Sequence, residues 1–234
     1  MATWGLSRRR LLNAGALLVP GSAAAAPSLY QPPSHNDHPQ STEAEGYLFF
    51  HPEEAAFIEA AIDRLIPSDD IGPGAKELGV AVFIDRQLAG PYGMGERTYL
   101  SEPFAHGEPS QGWQMHAPAV VYRSAIPAVN AYARASKGGD FSALSGENQD
   151  AVLHALESGD AQLAGDVGAK SFFELLWQNM LEGYFSDPLY GGNRGMAAWR
   201  MIGFPGARYD YREALDEPGA RLALEPVSIA PRRG

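Results

Sequence analysis

Six histidines, a spaced pair of glutamates and one glycine-rich run are the first places to look for chemistry in this 234-residue chain. Metal or general-base work would need the histidines to converge. His35, His38, His51, His106, His116 and His154 are scattered instead, four of them in or beside predicted loops. His35 and His38 flank Asp37, an arrangement that a weak metal site shares with an ordinary solvated linker. Nothing in the sequence obliges His106 and His116 to meet. Glu174 and Glu182 imitate a carboxylate pair, but two helical turns separate them by roughly 12 Å of rise. That is too far to share a proton or to flank a glycosidic bond, so they read as the exposed edge of a helix. Gly90 to Gly95 (GPYGMG) does not open a helix after a strand, as a dinucleotide loop would. No HExxH, nucleophile-elbow or Walker-type sequence occurs.

One segment does stand out, from Glu182 to Gly206: EGYFSDPLYGGNRGMAAWRMIGFPG. Asp187 and Pro188 form a turn leaving a helix. Gly191 and Gly192 permit positive φ and close backbone approach. Asn193 can cap the next helix through its side-chain oxygen. Met196, Trp199 and Ile202 give that helix a short apolar face. Two readings fit: a purely structural loop–helix corner, or a contact surface with Tyr190, Asn193, Arg194 and Trp199 at its centre. Tyr, Trp and Arg are the residue types that anchor interfaces.

The elements around this corner read as helices. Pro52, Glu53 and Glu54 start one, and Ala55, Ile58, Ala61, Ile62, Leu65 and Ile66 form its apolar stripe. Val80, Phe83, Ile84, Gln87 and Leu88 make a second stripe, stopped at Gly90-Pro91. Pro91 to Gly112 is a long connection carrying Tyr92, Tyr99 and Phe104, whose aromatic rings suit packing against something. Trp113 to Ala135 is a third helical region, which Pro127 should kink or split. Leu144 to Ser158 holds a short fourth helix. Ser171 to Phe185 is apolar nearly all round, with only Ser171, Glu174, Gln178 and Glu182 as a polar edge, which marks a buried central helix. The expectation is an all-α fold: one irregular helical bundle around a central helix at about 171–185, with long loops.

The ends are different in kind. Ser7 to Leu12 (SRRRLL) is a basic block, Leu11 to Val19 a mild apolar run, and Ser22 to Ala26 a series of small residues. This is the layout of an export signal, and Arg8 and Arg9 before two leucines fit the twin-arginine type. The expected divisions are a signal at 1–26, a disordered linker at 27–46, a helical domain at 47–213 and an irregular tail at 214–234. An arm laid across another subunit is the sharper reading of that tail. Cleavage near Ala26 would remove three arginines and no acid, taking the formal charge from −10 to −13. An acidic chain lacks the basic face that nucleic acid requires. The absence of cysteine excludes disulfides, thiolate zinc sites, iron–sulfur clusters and covalent c-type haem.

The string from Asp187 to Gly206 resembles the hallmark of the gluconate 2-dehydrogenase subunit 3 family. The segment FFHPEEAAFIEAAIDRLIP, from Phe49, is similar to that family's opening helix. The resemblance implies a non-catalytic small subunit. A large flavoprotein of the glucose–methanol–choline type would carry FAD and oxidise a sugar, polyol or sugar acid. A multihaem cytochrome c subunit would take the electrons onward. The small chain would hold no cofactor, metal or catalytic residue, and would support folding, stability and export of its partner. It would lie in the periplasm and meet the membrane only through the complex. Asp187, Pro188, Tyr190, Gly191, Gly192, Asn193, Arg194 and Trp199 are then candidates for the partner interface. The alternative is an independent periplasmic enzyme, hydrolase-like, using carboxylates and His106 or His116.

Overall fold

The computed structural model describes residues 46–96, 116–212 and 224–229. Its regular structure is helical. Helices α1 (Pro52–Leu65), α2 (Val80–Ala89), α3 (Pro118–Lys137), α4 (Gly146–Ser158), α5 (Ala169–Phe185) and the short α6 (Ala197–Ile202) follow in that order, with one isolated parallel bridge between Gly206 and Val227. The all-α expectation holds.

Local chemistry explains most of the boundaries. At α1, His51 is the N-cap, Pro52 takes the first helical position, and the Glu54 carboxylate accepts the His51 N–H at 2.8 Å. Ala55, Ile58, Ala61, Ile62, Leu65 and Ile66 are buried, as the spacing predicts, and Phe57 is buried with them. Left-handed glycines end three helices, Gly138 after α3, Gly159 after α4 and Gly203 after α6. Val80 to Ile84 are helical, and α2 ends at Gly90 as expected.

Pro127 departs from expectation. It lies inside α3, which runs unbroken for 20 residues. A proline removes one intrahelical bond, here to the Arg123 carbonyl, and that loss is smallest where the ring faces solvent. Pro127 is exposed, while Val121, Tyr122, Ala125, Ile126 and Val129 seat the helix on the core.

Helix α5 is the centre, packed by α2, α3 and α4. Phe172, Phe173, Leu175, Leu176, Met180 and Tyr184 are buried along it. Aromatic rings knit the surrounding helices to it: Phe57 lies 4.9 Å from Phe141 and 6.2 Å from Phe172, and Tyr122 meets Phe172 edge-on at 5.6 Å. The predicted polar edge is exposed, with Gln178 donating to Glu182 at 2.9 Å. No helix among the described residues is long and apolar enough to cross a membrane.

Candidate functional site at the loop–helix corner

The corner begins where α5 runs out. Asp187 adopts an extended conformation, and its Oδ1 accepts the Leu189 N–H at 3.0 Å, capping a single 3-10 turn at Pro188–Tyr190. Gly191 closes that turn at φ 105°. Gly192 then passes so near α5 that a Cβ on it would stand 2.1 Å from the Gly183 carbonyl oxygen. Only a residue without a side chain fits that crossing.

Asn193 is the bolt of the corner. It is wholly buried and sits in the left-handed region at φ 44°, which asparagine tolerates better than most residues. Its Nδ2 donates to the Ser186 carbonyl at 2.9 Å, and its Oδ1 accepts the Ala198 N–H at 2.9 Å. One amide therefore satisfies a carbonyl just past α5 and an orphan N–H in the first turn of α6. This is the helix-capping role expected from the sequence, exerted from several residues upstream. Trp199 repeats the connection: its indole N–H donates to the Phe185 carbonyl at 2.8 Å, and Phe204 packs edge-on against its ring at 5.1 Å. The Arg194 backbone N–H reaches the Leu78 carbonyl at 3.1 Å, tying the corner to the approach to α2.

The C-terminal segment 224–229 completes the site. Ser228 Oγ donates to Asp187 Oδ1 at 2.6 Å, and the Ile229 N–H donates to Asp187 Oδ2 at 2.8 Å. Ala207 N–H donates to the Val227 carbonyl at 2.7 Å, and Val227 N–H to the Pro205 carbonyl at 3.2 Å. Gly206 makes this pairing possible, because a Cβ there would stand 2.3 Å from the Val227 oxygen. Arg200 pairs with Glu225 at 3.2 Å. Residues 224–229 thus lie across their own chain.

The eight candidate residues therefore divide. Asp187, Gly192, Asn193 and Trp199 are buried and hold the corner together. Pro188 and Gly191 are half-buried parts of its turn, while Tyr190 and Arg194 point outward. Arg8 and Arg9 lie outside the described residues, as do His35, His38 and His106, so the His106–His116 pairing does too. Of the other histidines, His51 is exposed at its cap and the His154 ring nitrogen lies 3.4 Å from Glu157. Tyr99 and Phe104 of the long connection lie outside as well, while Tyr92 is partly exposed and turns its hydroxyl in to Asn179.

Asp85 and Asn179 are buried polar groups that the sequence reading did not single out. Asp85, on α2, accepts three successive backbone N–H groups, from Leu48 at 2.7 Å, Phe49 at 2.9 Å and Phe50 at 2.8 Å. The Phe49 carbonyl is held in turn by Arg123, which also pairs with Glu54 and lies 4.0 Å from the Phe49 ring. Asn179, on α5, accepts from the Tyr92 hydroxyl at 2.8 Å and donates to the Tyr122 hydroxyl at 3.1 Å. Burial holds both phenols above their ordinary pKa, so they remain neutral partners. A signal for each was present: Asp85 falls in the buried row Ala81, Ile84, Leu88, and Asn179 in the row Phe172, Leu175, Leu176, Gly183. A polar residue on an apolar stripe needs a partner.

No cluster of three or more histidines and carboxylates with metal-binding geometry occurs among the described residues. No curated protein and no solved structure matches the chain. A family model does, across residues 52–206, from the first turn of α1 to the glycine that meets the tail. That span covers the helical bundle and the whole Asp187–Gly206 corner, and by it the chain belongs to the gluconate 2-dehydrogenase subunit 3 family, subunits of a dehydrogenase complex.

Proposed function

We propose that this chain is the non-catalytic small subunit of a periplasmic FAD-dependent sugar, polyol or sugar-acid dehydrogenase, supporting folding, stability and twin-arginine export of the flavin subunit. The family match over residues 52–206 carries the reading, since it makes the chain one part of a multi-subunit dehydrogenase. The corner adds support. Asp187, Asn193 and Trp199, its chemically most capable side chains, spend their polar atoms on this chain's own backbone and on Ser228. Such groups shape a surface rather than turn over a substrate. The paired Arg8-Arg9 of the leader supplies the export address, and the 27–46 linker separates it from the folded domain. Catalysis and FAD belong to a glucose–methanol–choline-type large subunit in this reading, with haem c in a third subunit.

The test is co-expression with the flavin subunit of the same complex, using the native chain and the Arg8→Lys/Arg9→Lys double variant. The native chain should bring active flavoprotein to the periplasm, and the variant should leave it in the cytoplasm. Active periplasmic flavoprotein at undiminished level with the variant would sink the escort role.

A further inference from the structure

We infer that the outer face of the corner, centred on Leu189, Tyr190, Ile202, Phe204 and Ile229 with Arg194 beside them, is the surface that docks the large subunit; this rests on the reading of the chain as one part of a dehydrogenase complex. Twelve large apolar side chains are exposed among the described residues, and eight of them lie between Leu189 and Ile229. The five named here are between 43% and 52% exposed. The bonds of Asp187 to the Leu189 and Ile229 N–H groups, and of Val227 to Pro205 and Ala207, bring these positions to one corner, and exposed apolar side chains gathered in that way mark an interaction site. The face is also built in advance. Asn193, Trp199 and Asp187 fix the backbone from beneath, and the Asp187 bonds to Ser228 and Ile229 set Ile229 next to Leu189. A partner landing there would have little loop-ordering entropy to overcome.

Charge decides the occupant. The chain carries −10 overall, yet the described residues from Ser186 to Ile229 hold four arginines (Arg194, Arg200, Arg208, Arg212) against three acids (Asp187, Asp210, Glu225). Arg200 and Arg212 have acidic neighbours at 3.2 Å, and Asp187 is turned inward. Arg194 is exposed, with its guanidinium beside Gly79, and forms no ion pair among the described residues. Two copies of this face meeting about a twofold axis would set Arg194 and its neighbours against themselves, which like-charge repulsion opposes. A different chain, presenting an apolar pocket rimmed by carboxylates, fits the aromatic, aliphatic and guanidinium groups together.

The experiment purifies the tagged full chain co-expressed with the flavin subunit and measures flavin retained per chain. The variants are Leu189→Glu/Ile202→Glu, Arg194→Glu and, as a control on the exposed face of α3, Val120→Glu. Flavin retention should fall at least about tenfold in the two corner variants and stay unchanged in the control. If the native chain retains flavin protein and the corner variants retain it equally, the surface is wrong and the subunit reading stands. If the native chain retains none, that reading falls and takes the surface with it. Should Leu189→Glu/Ile202→Glu melt at a lower temperature, Arg194→Glu decides alone, since its exposed side chain lies over Gly79 at the start of α2 and outside the buried core. A native chain that sediments as a dimer on its own and becomes monomeric in the corner variants would assign the face to a second copy and overturn the proposal.

Discussion

Replacing Asn193 by alanine should be among the most destabilising single changes outside the apolar core. Two partners are orphaned at once: the half-buried Ser186 carbonyl, bonded at 2.9 Å, and the buried Ala198 N–H, also at 2.9 Å. Each unsatisfied group costs about 1–3 kcal/mol. Alanine is also forced into the left-handed conformation that Asn193 holds at φ 44°, adding about 1 kcal/mol. The sum is about 3–7 kcal/mol, which for a domain of this size lowers the melting temperature by roughly 10–20 °C. Asn193→Gly separates the contributions. It loses the same two hydrogen bonds but accepts positive φ freely, so it should recover about 1 kcal/mol relative to alanine. The assay is thermal unfolding of the mature chain by helical circular dichroism, with native, alanine and glycine forms side by side. An alanine variant melting within about 2 °C of the native chain would refute the account of the corner. A glycine variant no more stable than alanine would refute its conformational part.

Two further outcomes follow from the geometry. Gly192→Ala must push a backbone crossing apart, because its Cβ would stand 2.1 Å from the Gly183 oxygen, and should cost more than about 3 kcal/mol, whereas Gly138→Ala, strained by its positive φ but with open space around it, should cost only about 1 kcal/mol; equal melting temperatures for the two would contradict this. Alkaline pH should unfold the protein: burial, joined at Tyr47 by its hydrogen bond to Glu59, raises the phenols of Tyr47, Tyr92 and Tyr122 above the ordinary 10.0. A raised folded-state pKa gives stability that is intact below pH 10 and lost above it, as unfolded phenols ionise and folded ones resist. Tyrosinate absorbance and helical signal should therefore change together above pH 10, and full ionisation of all tyrosines in a still-folded chain would contradict the burial argument.

Much of the architecture was legible because it rests on local rules. The α1 stripe, the glycine stops and the all-round apolar character of α5 follow from spacing and composition alone. The Asp187–Gly206 string was legible as unusual, and the capping role of Asn193 could be read from its type and place. The division of that string into inner bolts and outer face could not. Whether Trp199 or Tyr190 faces solvent depends on which backbone lies behind it, and nothing in the string records that. Pro127 shows the same limit from the other side: the rule about helix breaking is local, but the packing that overrides it belongs to residues on neighbouring helices.

The sequence by itself determined the helices, the buried centre and the family, because each depends on residue types at short spacing. Only the tertiary structure decided where the long-range bonds go. Asp187 meets Ser228 across 41 positions, Asp85 grips Leu48 across 37, and Asn179 takes Tyr92 across 87. The physical reason is that a buried polar group must find a partner, but any of many distant backbone groups would satisfy it equally. The choice among them is made by the packing of the bundle, which brings the tail over the corner and turns the corner's apolar side chains outward.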